Sequence, residues 1–267
     1  MKLIILGTGN AQAIKCYNTC FVLDDNGKYF LVDAGGGNTI LSRLEEVHVD
    51  LHKIHNMFVT HKHIDHLLGV IWILRIVGQE MAKGKYEGDF TVYAHSEVIG
   101  LLEELSSKLI AKKQAQFIGN RIQLVTVEDG DSYTVNDRKT TFFDIHSTKA
   151  RQFGFCMEMD NGEKLTCCGD EPFEEHARKY AENSLWLLHE AFCLYRDRDI
   201  FKPYEKAHST VKEAAETAEE LGIKNLVLYH TEDKHLDERK TLYTEEAREY
   251  YHGNIFVPDD LDVIELD

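Results

Sequence analysis

The segment THKHIDHLLG, residues 60–69, contains three histidines and an aspartate within six positions: His61, His63, Asp65 and His66. It follows a run at 54–59 that reads as a strand and precedes an apolar stretch that reads as a helix. Side chains two residues apart at a strand end point the same way, so His61 and His63 can share one target. Neutral imidazole and carboxylate together are the usual ligands of zinc-like cations. The segment therefore predicts a metal site rather than a solvated helix cap.

Potential ligands recur at the ends of three later apolar strands. His146 closes the run at 141–146, Asp170 closes 164–170, and His230 closes 225–230. Any one of them, taken alone, is more often an ordinary loop residue than a ligand. Together with the first cluster, they indicate a chain that can hold more than one cation.

Composition limits the fold and the partners. The chain has 267 residues, of which 43% are hydrophobic, and its 46 acidic and 30 basic side chains give a net charge of −16. Such a field repels polyanions. Strand-rich segments with helices in both halves, and no repeat, predict one domain spanning residues 1–267. The expected fold class is α/β, a four-layer αββα sandwich with two packed sheets and helices outside.

The cysteines and the apolar runs predict a cellular location. The six cysteines show no C-x-x-C spacing, which is typical of reduced core residues. No apolar run approaches membrane-spanning length, and the apolar run after Lys2 is too short for a signal peptide. We expect a cytoplasmic protein without membrane contact.

The H-x-H-x-D-H pattern at 61–66 resembles the metallo-β-lactamase superfamily, and the whole chain resembles its ribonuclease Z branch. The metallo-β-lactamase fold is the αββα sandwich expected above. By that resemblance His61, His63 and His146 would hold one metal, and Asp65, His66 and His230 the other. Asp170, in a Gly-Asp pair, would bridge them. The resemblance therefore implies two divalent ions: the imidazole-rich shell suits zinc, and manganese or iron are the alternatives.

Two further segments are similar to ribonuclease Z. Residues 187–191, LLHEA, and 207–210, AHST, resemble segments in which Glu190 and His208 would form a proton-delivery pair. The resemblance implies catalytic roles for Asp65, Glu190 and His208. Asp65 would accept a hydrogen bond from a metal-activated water, and His208, kept protonated by Glu190, would donate a proton to the leaving oxygen. The structural alternative is a helix flank capped by Ser209, with Glu190 a surface charge.

The chain departs from ribonuclease Z between His146 and Asp170. These residues are 24 positions apart, which is enough for a strand, a turn at 160–162 and a second strand. Family members that process tRNA usually insert a basic arm here. The sequence therefore predicts a dinuclear metal-dependent phosphodiesterase, similar to this endonuclease family but without its tRNA-gripping arm, with a small-molecule or RNA phosphodiester as substrate.

Two alternative functions and one oligomeric state remain open. A thioester or lactam hydrolase of the same superfamily would share the ligands but would not need Glu190 and His208. A non-catalytic metal-binding module is the second alternative. The resemblance also implies a possible homodimer.

Overall fold

The computed structural model describes residues 1–266, and their contacts divide the chain into two compact units. Unit 1 comprises Met1–Gly7, Tyr17–Val127 and residues 260–266, and unit 2 comprises Thr8–Cys16 and Glu128–Asp259. Each unit has its own sheet and its own hydrophobic core. The single-domain organisation stays a prediction.

The described residues form fourteen strands and eight α-helices. The strands are β1 Lys2–Gly7, β2 Cys20–Asp25, β3 Lys28–Val32, β4 Ile54–Phe58, β5 Phe90–Ala94, β6 Ile122–Thr126, β7 Ser132–Val135, β8 Arg138–Asp144, β9 Phe153–Glu158, β10 Lys164–Cys167, β11 Trp186–Glu190, β12 Asn225–Tyr229, β13 Asn254–Phe256 and β14 Val263–Glu265. The α-helices are α1 Thr39–Glu46, α2 Ile64–Ala82, α3 Ser96–Leu109, α4 Lys112–Ala115, α5 Arg178–Ala181, α6 Arg198–Phe201, α7 Val211–Glu220 and α8 Arg239–Arg248. Short 3-10 helices cover Leu51–Lys53, Asp160–Gly162, Glu175–Ala177, Tyr195–Asp197 and Tyr204–Lys206.

The sheet of unit 1 has seven strands in the order β14-β1-β2-β3-β4-β5-β6. The strands are antiparallel from β14 to β3 and parallel from β3 to β6. Helix α2 covers it with an apolar face that includes Leu67, Val70 and Leu74, and these side chains share a core with Leu31 and Met57 of the sheet. The spacing of three and four residues is that of one helix face.

The sheet of unit 2 also has seven strands, in the order β13-β12-β11-β10-β9-β8-β7. Strands β7 to β10 are antiparallel and β10 to β13 are parallel. Helix α7 packs its small side chains, Ala214 and Ala218 among them, into a core with Leu226 and Leu228. The predicted hairpin is present, since β9 and β10 pair from Glu158 opposite Lys164 onward.

The parallel strands bring the candidate residues of each unit to one sheet edge. In unit 1, β3 leads to Asp33 and β4 leads to His61. In unit 2, β10, β11 and β12 lead to Asp170, Glu190 and His230. The carboxyl ends of parallel strands are where α/β proteins place their ligands. Among residues 1–266, no helix is long and apolar enough to cross a membrane.

Candidate metal centre

Asp33 is the hydrogen-bonding centre of the region of unit 1 that contains the candidate metal ligands. Its Oδ1 accepts the Thr60 backbone N–H at 2.8 Å, and its Oδ2 accepts the Thr60 hydroxyl at 2.8 Å and His66 Nδ1–H at 2.7 Å. Asp33 is buried and has a left-handed backbone, with φ of 55°. One carboxylate therefore fixes the end of β4 and the first turn of α2 relative to each other.

These hydrogen bonds determine which nitrogens of His61 and His66 can bind a metal. A carboxylate only accepts, so His66 Nδ1 is the protonated nitrogen and His66 Nε2 keeps its lone pair. The Thr60 hydroxyl gives its proton to Asp33 and accepts from His61 Nδ1 at 2.9 Å, which likewise leaves the lone pair on His61 Nε2. Such outer contacts orient metal-binding histidines and raise their basicity.

The potential ligand atoms of unit 1 form two close pairs. His61 Nε2 lies 2.8 Å from His63 Nδ1, and His66 Nε2 lies 3.4 Å from Asp65 Oδ2. Two donors on one tetrahedral zinc, each at about 2.0–2.1 Å, are about 3.3 Å apart. The His66–Asp65 pair has about that separation, and the His61–His63 pair is about 0.5 Å closer, within hydrogen-bond distance. Imidazole and carboxylate are donor types that fit a divalent cation.

Unit 2 contains a third close pair, Asp170 with His230. His230 Nε2 lies 3.3 Å from Asp170 Oδ2, and both side chains are buried. Gln152 donates its amide Nε2–H to Asp170 Oδ1 at 2.6 Å, so the carboxylate is oriented from the other side. No sequence pattern marks Gln152, because a glutamine between two strands carries none of its own.

His146 is placed differently from the other unit-2 candidates. It lies two residues beyond the end of β8, with φ of 57°, and its N–H donates to Asp144 Oδ1 at 2.8 Å. Its exposed ring stacks on His176, with ring centroids 3.9 Å apart. The structure thus brings Asp170 and His230 together within unit 2 and leaves His146 against His176.

Glu190 and His208 lie together in unit 2. His208 Nδ1 donates to the backbone carbonyl of Asp170 at 2.7 Å and lies 3.6 Å from Glu190 Oε2. Glu190 Oε1 accepts the Ser209 hydroxyl at 2.7 Å and the Ser209 backbone N–H. The cap of α7 is Thr210, whose N–H donates to Glu213 at 2.8 Å, so Ser209 serves Glu190 rather than the helix.

The electrostatic setting of His208 favours its protonated form. Burial lowers the pKa of His208, and so does the nearby Lys149 ammonium, but the Glu190 carboxylate 3.6 Å away, with a smaller contribution from Asp170, outweighs both and raises the pKa above its ordinary value. The ring also stacks face to face on Phe192, at 4.7 Å between centroids. The pair can therefore hold a proton in a fixed position.

Known proteins resemble this chain in sequence and in fold. A family model described as anti-Pycsar protein Apyc1 matches residues 1–249. Ribonuclease Z of Thermococcus sibiricus is 25% identical over 311 aligned positions, which cover 100% of this chain and 96% of that one. The metallo-β-lactamase fold protein YhfI from Bacillus subtilis has a TM-score of 0.78 at 19% identity, with 98% of each chain covered. The short form of human tRNase Z has a TM-score of 0.75 at 20% identity, with 100% of each chain covered.

These likenesses confirm two expectations from the sequence. The chain has the metallo-β-lactamase fold, and its sequence resembles ribonuclease Z over its whole length.

Proposed function

Because the chain belongs to the anti-Pycsar protein Apyc1 family, which covers residues 1–249 of it, and has the metallo-β-lactamase fold, we propose that it is a dinuclear metal-dependent phosphodiesterase for small or cyclic phosphodiesters. The buried Glu190–His208 pair beside Asp170 carries this proposal. A proton donor for the leaving oxygen is what an unactivated phosphodiester requires. A thioester or lactam hydrolase with the same metal ligands would not need it.

Seven residues are proposed as metal ligands. They are His61, His63, Asp65, His66, His146, Asp170 and His230. The three close pairs of donor atoms support six of them, and His146 has the least support because its ring stacks on His176. Zinc suits this shell best, and manganese or iron would also suit the carboxylates. When bound, the cations supply Lewis acidity that lowers the pKa of water and neutralises phosphate charge.

The protein's own groups supply orientation and protons. Asp33 and Gln152 orient the proposed ligands His66 and Asp170. Asp65 accepts a hydrogen bond from the attacking water. Protonated His208, held by the Asp170 carbonyl and Glu190, donates its Nε2 proton to the leaving oxygen.

Three observations support a small substrate rather than tRNA. Strands β9 and β10 are joined by five residues, 159–163, which leaves no room between them for an arm. The alignment with ribonuclease Z has 311 positions against 267 residues here, so that relative has about 44 positions without a counterpart. The net charge of −16 opposes RNA binding.

A cavity lined in part by Phe192 offers space for a small organic group. It lies within unit 2, has a volume of about 220 Å³, and includes Phe192, Phe201 and Lys206 in its lining. Phe192 is the residue that stacks on His208.

The test compares substrates of different size and chemistry on one preparation. Zinc- or manganese-loaded protein is assayed with bis(para-nitrophenyl) phosphate, a cyclic nucleotide, precursor tRNA with a 3′ trailer, S-lactoylglutathione and a chromogenic β-lactam. We expect turnover of the first two and no cleavage of the tRNA. Turnover of the thioester or the lactam without phosphodiester turnover would overturn the proposal, and so would full phosphodiester turnover by the metal-free protein. His230→Ala should abolish turnover, whereas the exposed His252→Ala should not.

We also propose a cytoplasmic location and a homodimer. The homodimer is supported by an exposed apolar surface of unit 1. Helix α2 exposes Ile64, Leu68 and Trp72 along one face at four-residue spacing, and Leu109 of unit 1 is 64% exposed. An exposed apolar surface of this kind fits a second copy of the chain. Sedimentation analysis should show a dimer that Leu68→Glu dissociates. A wild-type monomer at micromolar concentration would contradict the dimer.

A further inference from the structure

Lys149 lies on a turn that is held by hydrogen bonds to a buried carboxylate. Glu171 is buried, and its two oxygens accept the Ser147 hydroxyl at 2.6 Å and the Thr148 backbone N–H at 3.1 Å. The Ser147 oxygen in turn accepts the backbone N–H groups of Lys149 and Ala150, each at 3.2 Å. The backbone that carries Lys149 is therefore held in one conformation, unlike that of a typical surface lysine.

The ammonium group of Lys149 faces the proposed proton donor. Lys149 Nζ lies 3.5 Å from His208 Nε2, the nitrogen opposite the one that donates to Asp170. Residues 1–266 place no carboxylate within 4.0 Å of Lys149 Nζ, although the chain has an excess of acidic side chains. Lys149 Nζ and His208 Nε2 therefore face the same small region. A phosphate oxygen placed there would be within reach of both nitrogens.

We propose that Lys149 binds a non-bridging phosphate oxygen of the substrate, next to the leaving oxygen that receives the proton of His208. This inference rests on the proposed function. A phosphodiester carries one negative charge on those oxygens, and a lysine ammonium is a common point-charge partner for phosphate. Lys149 thus positions the anion while His208 acts on the bond.

A purely local role would be a hydrogen bond from Lys149 to neutral His208. That contact would affect proton donation and therefore kcat. Binding of the phosphate in ground state and transition state alike affects KM and leaves kcat nearly unchanged. The two roles are separable by kinetics and by direct binding of an anion.

The experiment uses the metal-loaded wild type and three variants: Lys149→Met, Lys149→Arg and Lys139→Met. Lys139, on β8, is an exposed lysine that forms an ion pair with Glu158, and it serves as the matched control. KM and kcat are measured with bis(para-nitrophenyl) phosphate, and the dissociation constant for inorganic phosphate is measured by calorimetry. Metal content and melting temperature are recorded for each variant.

We expect Lys149→Met to raise both KM and the phosphate dissociation constant by about 10- to 100-fold, the loss typical of a hydrogen bond to a charged group. Its kcat should change by less than about threefold. Lys149→Arg should recover most of the affinity, and Lys139→Met should match the wild type. Unchanged KM and phosphate binding in Lys149→Met, or a fall confined to kcat, would overturn the inference. A wild type that turns over no phosphodiester would instead overturn the proposed function.

Discussion

At the scale of single residues, two candidate metal ligands and the residue that orients another have unusual backbone conformations. Asp33, His146 and His230 all have positive φ, between 55° and 58°. This region costs about 1–2 kcal/mol for a residue with a side chain. Such conformations persist where the surrounding structure imposes them. Here they occur at one carboxylate and two imidazoles that follow the ends of strands.

Asp33→Asn should weaken metal binding without changing the backbone preference. Asparagine tolerates positive φ, but it has one acceptor oxygen where three hydrogen bonds now converge on a carboxylate. Loss of the partner of His66 should lower zinc affinity by about 10- to 100-fold. Competition with a chromogenic chelator measures the affinity, and Asp89→Asn, at a carboxylate that is 53% exposed, is the control. Equal zinc affinity in Asp33→Asn and wild type would show that Asp33 does not support the ligands.

His208→Ala should discriminate between leaving groups. Para-nitrophenolate leaves without a proton, whereas an alkoxide needs one, so the variant should lose about 10²- to 10⁴-fold on a dialkyl phosphodiester and much less on bis(para-nitrophenyl) phosphate. The ratio of the two rates, measured for wild type and variant, isolates proton donation from folding. The same loss on both substrates would exclude the proton-donor role.

At the scale of elements, the close contact between α2 and the loop after β3 positions the candidate ligands of unit 1. Gly69 N–H donates to the Gly35 carbonyl at 2.8 Å, and Ala34 N–H donates to the His66 carbonyl at 3.1 Å. A Cβ at Gly69 would lie 1.8 Å from the Ala34 oxygen, so only glycine allows this approach. The helix carrying Asp65 and His66 therefore stays against the loop carrying Asp33.

Gly69→Ala should separate these two elements. We expect it to lower the free energy of unfolding by about 1–3 kcal/mol, as overpacking typically does, and to reduce zinc affinity. Gly100→Ala in α3 is the matched control, because nothing lies within 4 Å of its added Cβ. That control should stabilise the protein by about 0.5–1 kcal/mol. Equal melting temperatures for the two variants would contradict the proposed contact.

At the scale of the whole molecule, bound cations should contribute to stability. The chain has a net charge of −16, and a cation that binds only the native protein stabilises it by about 2.7 kcal/mol at one hundred times its dissociation constant. Removal of metal by a chelator should therefore lower the melting temperature, and added zinc should restore it. Elemental analysis must confirm the metal-free state. A melting temperature that is the same with and without metal would argue against the proposed centre.

The sequence by itself predicted the fold family and the candidate ligands, because both depend on local patterns. His61, His63, Asp65 and His66 lie within six residues, and His146, Asp170 and His230 each follow an apolar strand. The strands end one to three residues before these last three, since the chain has already turned out of the sheet. The predicted fold and the resemblance to ribonuclease Z are confirmed, whereas the roles of the candidate ligands stay predictions.

Only the tertiary structure identified the residues that hold those candidates in place. Asp33 contacts Thr60 and His66 across 27 and 33 positions, Gln152 contacts Asp170 across 18, and Lys149 contacts His208 across 59. No local periodicity records such pairings, because a hydrogen bond is made between atoms that the fold brings together. The same holds for the tautomers of His61 and His66, which follow from their partners. The ligand types are therefore a property of the sequence, while their protonation and orientation are a property of the folded chain.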